Sequence, residues 1–281
     1  MAKTGSLNRV HGFRPKKGLG QHFLQDDDMG RKMVSLAGFK GSDHILEIGP
    51  GLGALTLLLA GSVHKIIAVE KDPLLAAKLQ KQLDIEGIHN VTLVTGDILR
   101  LDFGDRRFFG EKSMGVIGNL PYNISSPILE KLIQNRESFH RAVLMFQAEF
   151  AKRVSASPGG REYGAMSVLI QYFARVSPLL EVPREAFFPV PKVDSMVLEL
   201  DFKRPYPHKA LDEASFKRTV KGAFSHRRKT LMNSLKGSLT ALSKGEILEV
   251  LERCSIDPGK RAETLSIQDF LNLNEAITSL S

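Results

Sequence analysis

The chain has 281 residues, 42% of them hydrophobic and 25% charged, the proportions of a soluble globular protein with one large domain or a large and a small one. Its apolar runs fall far short of the ~20 residues that a membrane-spanning helix needs, and no apolar stretch follows the basic N-terminus as it would in a secretory signal. The single cysteine, Cys254, excludes an internal disulfide or a cysteine metal cluster, fits a reducing cytosolic setting and reads as core filler, while the net charge of +8 points to a polyanionic partner.

In chain order, the first 25 residues carry Lys3, Arg9, Arg14, Lys16 and Lys17 and no acid, a segment suited to phosphates. From 44 to 202, short β-branched runs alternate with helical patterns, the signature of βαβ units and a mostly parallel sheet. HILEIG (44–49), KIIAVE (65–70), VTLVTG (91–96), MGVIGN (114–119) and RAVLMF (141–146) predict successive strands. Leu75, Leu79 and Leu83 predict a helix between two of them, and the alternation of Met196, Leu198, Leu200 and Phe202 predicts a further strand. KRPYPHK (203–209) reads as a linker. Residues 210–281 carry no strand pattern and predict several short helices. The last is marked by Ser266 and Asp269 as a capping box and by Leu265 and Phe270 as a hydrophobic staple. The expected division is an α/β domain over 1–203, with 1–25 as its basic leader, followed by a small all-α domain over 204–281.

The turn Glu47-Ile48-Gly49-Pro50-Gly51-Leu52-Gly53 follows the first strand and precedes the helical ALTLLLA. Gly49 and Gly51 let the backbone pass close to a ligand at the C-terminal edge of a parallel sheet. Glu70, ending the second strand, can accept both hydroxyls of a ribose, and Asp97, after the third, can meet an adenine amine. A nicotinamide dinucleotide would use similar parts. The glycine spacing E-x-G-x-G-x-G, the intrusion of Pro50 and three acids at consecutive strand ends, with no basic group among them to neutralise a pyrophosphate, favour the sulfonium cofactor S-adenosylmethionine.

Asn119-Leu120-Pro121-Tyr122 ends the fourth strand. The exocyclic amine of adenine is a poor nucleophile because its lone pair is delocalised into the ring, and acceptors that favour its pyramidal form make it reactive. Asn119 offers a side-chain carbonyl and residue 121 a backbone carbonyl beside a nitrogen without hydrogen. Tyr122 offers a face on which the base can stack. Phe187, on the proline-stiffened loop EAFFPVPK (185–192), is the expected second wall. No general base is needed, because the alkylated amine sheds its proton readily, and no metal site is expected.

These pieces resemble the KsgA (RsmA) family of small-subunit ribosomal RNA adenine dimethyltransferases and their eukaryotic dimethyladenosine transferase relatives. The resemblance runs through KKGLGQHFL (16–24), LEIGPGLGALT (46–56), VEKD (69–72), GDIL (96–99), GNLPYNISSP (118–127), MFQAEFAKR (145–153), YGAMSV (163–168), FFPVPKVDSMV (187–197), FSHRRKTLMNSL (224–235) and RAETLS (261–266). It implies a Rossmann-like class I S-adenosylmethionine-dependent methyltransferase domain and a helical rRNA-binding domain. The implied reaction is dimethylation of two adjacent adenosines near the 3′ end of small-subunit rRNA within a pre-30S particle. His22, Leu24, Gly49, Glu70, Asp97 and Asn119 match positions that contact the cofactor, although many bacterial members carry asparagine where His22 stands. A cytoplasmic monomer is expected. Arg14, Lys16 and Lys17, together with Arg227, Arg228 and Lys229 on a helix that also carries Phe224, Leu231 and Leu235, are the expected RNA contacts. Two other readings stay open: a large-subunit adenine methyltransferase of the macrolide-resistance type, and an assembly factor whose binding outweighs its catalysis.

Overall fold

The computed structural model describes residues 15–105, 113–240 and 242–280, so Arg14 and the start of the basic leader lie outside it. A sheet of seven strands organises the first unit: β2 (His44–Ile48), β3 (Lys65–Glu70), β4 (Val91–Thr95), β5 (Met114–Asn119), β6 (Phe139–Gln147), β7 (Arg175–Val182) and β9 (Ser195–Asp201). Their order is β4-β3-β2-β5-β6-β9-β7, with β4 to β6 all parallel and β9 antiparallel to β6. A separate ribbon pairs β1 (Phe23–Leu24) with β8 (Phe187–Phe188). This is the α/β class expected from the alternating runs.

The central strands are apolar on both faces, with Ile45, Leu46, Ile66, Val116, Val143 and Leu198 fully buried, as a covered parallel sheet requires. Strand order reverses at β2, which lies between β3 and β5, and ligands bind at such a switch point beyond the C-terminal strand ends. Glycine is needed where β2 meets β5: a Cβ on Gly118 would come within 2.7 Å of the Ile48 carbonyl. The helices of this unit are α1 (Asp27–Ala37), α2 (Thr56–Ala60), α3 (Pro73–Ile85) and α4 (Ser125–Gln134). Helix α3 starts where Asp72 accepts from the Leu74 amide, with Pro73 in the first turn, and it buries Leu75, Leu79 and Leu83. Strand β7 was not foreseen from the sequence. It is an edge strand holding Pro178 and several half-exposed residues, so it lacks the apolar run of its neighbours.

Helix α5 (Ala148–Val154) leads into the second unit, which contains α6 (Ala165–Phe173), α7 (Glu213–Ala223), α8 (Leu231–Ser238), α9 (Lys244–Arg253) and α10 (Ile267–Thr278). The division differs from the expected one at 203, because residues 152–175 group with 204–281 while 176–203 group with the sheet. The reason is the packing of α6. Tyr172 accepts through its hydroxyl from the Ala210 amide at 3.0 Å and through its carbonyl from the Tyr206 amide at 3.1 Å, and its ring lies 4.5 Å from that of Phe216. Contiguity in sequence concealed this exchange.

Residues 224–235 are not the single helix expected. Helix α7 ends at Ala223, a turn follows, and Thr230 caps α8 by accepting from the Asn233 amide. Leu231 and Leu235 are buried, but Arg227, Arg228 and Lys229 ride on the exposed turn, and the Arg227 guanidinium donates to the Arg161 carbonyl. Helix α10 begins with the Ser266 and Asp269 capping box, over buried Leu265 and Phe270. Cys254 caps the end of α9 and is partly exposed, so it is not core filler.

Candidate active site

The turns after β2, β3, β4 and β5 converge with residues 18–24 on one pocket, lined among others by Leu24, Glu47, Glu70, Asp97, Asn119 and Tyr122. The left-handed backbone at Gly51 (φ 57°) aims its amide at Glu70 Oε2, 3.0 Å away, while Oε1 accepts from the Asp72 amide at 2.9 Å. A Cβ on Gly51 would stand 3.3 Å from the Phe23 ring, so this turn is closed to larger residues. Burial pushes the Glu70 carboxyl up, and the amides of Asp72 and Gly51 pull it back. Each carboxylate oxygen keeps a second lone pair. Glu70 can therefore brace the turn and accept ribose hydroxyls together.

Asp97 accepts from the Leu99 amide at 3.0 Å and from Lys71 Nζ at 2.8 Å, and the lysine holds its carboxyl below the usual range. The acidic edge thus has a basic group beside it, contrary to the reading of the strand ends alone. Lys71 is spent on that ion pair and neutralises Asp97. Glu47 is fully buried, and burial pushes its carboxyl up to about 7. Its Oε2 and the facing Thr56 hydroxyl both lack a hydrogen-bond partner among the described residues. A buried orphan acceptor in a pocket ringed by carboxylates is the complement of a ligand carrying positive charge.

Residues 16–21 form a strap along one side of this pocket. Lys16 Nζ lies 2.9 Å from Asp72 Oδ2 and 3.0 Å from Oδ1, Gln21 Nε2 donates to Oδ2 at 3.3 Å, and the Asp72 side chain has no solvent exposure. Lys16, an expected RNA contact, anchors the strap through Asp72; the Lys17 side chain lies outside the described residues. Lys16→Met is expected to weaken cofactor binding about tenfold, or 1.4 kcal/mol, and to leave the salt dependence of RNA binding unchanged. Calorimetry and salt titrations measure the two effects.

At the other end of the pocket, Asn119 Nδ2 donates to the His22 carbonyl at 2.9 Å. That bond fixes the amide, and Oδ1 has no donor among the described residues. The Pro121 carbonyl, named above as the second acceptor, accepts from the Ile124 amide at 3.1 Å and closes a 3₁₀ turn. The Leu120 carbonyl, on the acyl side of the proline bond, takes no donor among the described residues and is the more open acceptor of the two. Tyr122 donates to or accepts from Ser195 Oγ at 3.0 Å, and burial pushes its hydroxyl up, so it stays neutral. The imidazole of His22 stacks on Tyr122 with centroids 5.5 Å apart and 23° between planes, and its Nδ1 lies 2.7 Å from the Pro189 carbonyl.

Phe187, the expected second wall, is buried. Opposite Leu24 in the β1–β8 ribbon, it turns into the core at 2% exposure, and Phe188, opposite Phe23, is the exposed one at 41%. The apolar doublet gave no sign of which ring faced inward, because a two-residue strand has no alternation to read.

The strand order, the glycine turn and the acids at successive strand ends define a Rossmann-like methyltransferase. The model of the family described as "Ribosomal RNA adenine dimethylase" matches residues 12–279. A "Ribosomal RNA small subunit methyltransferase A" from Desulforapulum autotrophicum is 45% identical over 280 residues, covering 100% of this chain and 98% of that protein. Among solved structures, a dimethyladenosine transferase from Plasmodium falciparum superposes with a TM-score of 0.78 at 30% identity, over 92% of this chain and 98% of that one. The 23S rRNA methyltransferase ErmE, with a TM-score of 0.70 at 24% identity over 91% of this chain and 99% of that one, shares the fold. The chain belongs to the ribosomal RNA adenine dimethylase family. It is an S-adenosylmethionine-dependent rRNA adenine dimethyltransferase, and its full-length relatives stand on the small-subunit side of the choice left open by the sequence. No described helix is long and apolar enough to cross a membrane.

Proposed function

We propose that the protein dimethylates the exocyclic amines of two adjacent adenosines near the 3′ end of small-subunit rRNA, working as a cytoplasmic monomer on a partly assembled 30S particle. The observation that supports this most is the pairing of an acid-lined, glycine-turned pocket with an Asn119 amide whose orientation is already set. Glu47, Gly49, Gly51, Glu70 and Asp97 would hold S-adenosylmethionine, with Leu24 and the strap as its cover. The cofactor supplies an electrophilic methyl group. Asn119 Oδ1 and the Leu120 carbonyl would accept from the adenine amine and favour its pyramidal form, leaving the lone pair directed at the methyl. Catalysis is then positioning and electrostatics. Arg228 and Lys229, exposed on the turn before α8, suit the phosphate backbone of a folded RNA.

Purified protein with labelled S-adenosylmethionine should methylate under-methylated 30S particles. Labelling of naked large-subunit RNA in their place would overturn the substrate assignment. Subunit maturation driven equally well by an inactive variant would favour the assembly-factor role.

Glu47 makes the reaction sensitive to pH. Its carboxyl, at about 7, binds a proton that the unfolded chain releases at a lower pH. The stability it lends is complete below the unfolded carboxylate value and is lost as pH rises through 7. A cationic cofactor prefers the ionised form, so the two effects have opposite sign. Between about pH 6 and pH 8, cofactor affinity is expected to rise roughly tenfold while the melting temperature of the free protein falls. Glu47→Gln should flatten both profiles in calorimetry and thermal denaturation.

A further inference from the structure

We propose that Phe188, exposed at the rim of the pocket, is a stacking platform for the nucleotide next to the target adenosine, so that the neighbouring base is held outside while one adenosine reacts within. This rests on the proposed reading of the substrate as two adjacent adenosines of a folded rRNA.

Phe188 is bracketed by pocket residues but is not part of the lining. Across the β1–β8 ribbon it pairs with Phe23, which lines the pocket and lies against the Gly51 turn. Directly opposed residues of an antiparallel pair share one face of the ribbon. Next in the chain, the Pro189 carbonyl lies 2.7 Å from Nδ1 of the pocket-lining His22. Phe188 itself is 41% exposed, and Val190 at 57% and Val193 at 44% follow it. Three of the eight large hydrophobic residues exposed among the described ones thus fall within six positions. A rim patch of this kind marks an interaction site, where apolar residues scattered singly would not.

The loop after β8 is held at its far end, so the patch is presented in one place. Pro189 and Pro191 stiffen it. Asp194 accepts through its side chain from the Arg184 amide and through its carbonyl from the Ala148 amide, each at 2.9 Å, and Ser195 shares a 3.0 Å hydrogen bond with Tyr122. Little conformational freedom is then lost on binding. The occupant follows from the substrate. RNA is a continuous strand, so when one adenosine enters the pocket its neighbour must lie at the rim, and extruding a base strips the stack from its neighbour's face. An aromatic ring restores that stack to any base. Exposed Lys192, between Val190 and Val193, suits the connecting phosphate. A protein partner would be served by the aliphatic surface alone; a flat ring and a cation beside a base-admitting pocket favour RNA.

The experiment measures kcat/KM for Phe188→Ala, Phe188→Leu and Phe188→Tyr on under-methylated 30S particles, and on two reconstituted particles that each carry an abasic nucleotide in place of one of the two adenosines. Loss of the stack is expected to lower kcat/KM about tenfold in both Phe188→Ala and Phe188→Leu, with Phe188→Tyr within about threefold of the unaltered protein. Affinity for S-adenosylmethionine, read by calorimetry, should not move in any variant. With the unaltered protein, one of the abasic particles should itself lose about tenfold, and on that particle Phe188→Ala should cost nothing further. An equal loss for Phe188→Ala on every particle would place the ring against a ribosomal protein or another part of the RNA. Full activity of Phe188→Leu would make it an apolar contact without stacking, a fall in cofactor affinity would make it a support of the cofactor pocket, and unchanged kinetics would give it no role. Each of these overturns the proposal, as would abasic particles that both react at the full rate. Failure of the unaltered protein to methylate the intact particle would instead overturn the underlying substrate reading.

Discussion

Asn119→Ala is expected to reduce methyl transfer by about 10²–10³-fold, the usual loss when one preorganised polar group at a reacting centre is removed. Its cofactor affinity should stay within about tenfold, or 1.4 kcal/mol. The amide sits at the end of β5 with its nitrogen committed to the His22 carbonyl, so only its oxygen is available to a substrate amine. Alanine deletes that acceptor and leaves the His22 carbonyl without its donor, at a cost of about 1 kcal/mol in stability. That is too small to unfold a domain built on a seven-stranded sheet. Asn119→Asp tests the orientation itself. A carboxylate retains acceptors but turns one of them against the His22 carbonyl, so it should also be inactive. Single-turnover methylation of under-methylated 30S particles, with calorimetry for the cofactor, separates the two effects. Loss of cofactor binding equal to the loss of rate would place Asn119 at the cofactor and not at the base.

The parts of this site that were legible in the sequence are those set by strand ends. A parallel strand is an apolar run, its end is a break in that run, and a polar residue at the break must face the C-terminal edge. Glu47, Glu70, Asp97 and Asn119 were found in this way, and the structure brings all four to one pocket. What escaped was set by partners distant in sequence. The pairing of Lys16 with Asp72 was out of reach because the two lie 56 residues apart and no acid stands near Lys16 in the chain. Lys71 was passed over because its partner Asp97 follows a different strand. Phe187 and Phe188 were indistinguishable until pairing with β1 set which faces inward. The helix drawn through Arg227 to Lys229 failed for a local reason: Phe224, Leu231 and Leu235 fit a helical period, but Ser225 to Thr230 offers turn and cap chemistry that the period ignores. Edge strand β7 carried Pro178, which argues against a strand unless the edge is known.

Glu70→Ala is expected to be the most damaging change to the cofactor site, because it removes two functions at once. Both carboxylate oxygens accept from buried backbone amides, Gly51 at 3.0 Å and Asp72 at 2.9 Å. Alanine leaves both donors unpaired, and each buried orphan costs about 1–3 kcal/mol. Against this stands the relief of burying a carboxylate, the same desolvation that raises its pKa. The two amide bonds are charge-assisted and the group keeps slight solvent contact, so the loss should win by about 2 kcal/mol. Freed of its anchor, the Gly51 turn loses the conformation that shapes the pocket, and the ribose loses its acceptor. Cofactor affinity is expected to fall more than about 100-fold, or 2.7 kcal/mol. Glu70→Gln supplies one acceptor and sets an amide nitrogen against the other N–H, so it should fall between alanine and the native residue in both stability and affinity. Thermal denaturation and calorimetry give the pair of numbers for each variant. If Glu70→Gln keeps full affinity while losing stability, the carboxylate only braces the turn, and the ribose hydroxyls are bound by another group.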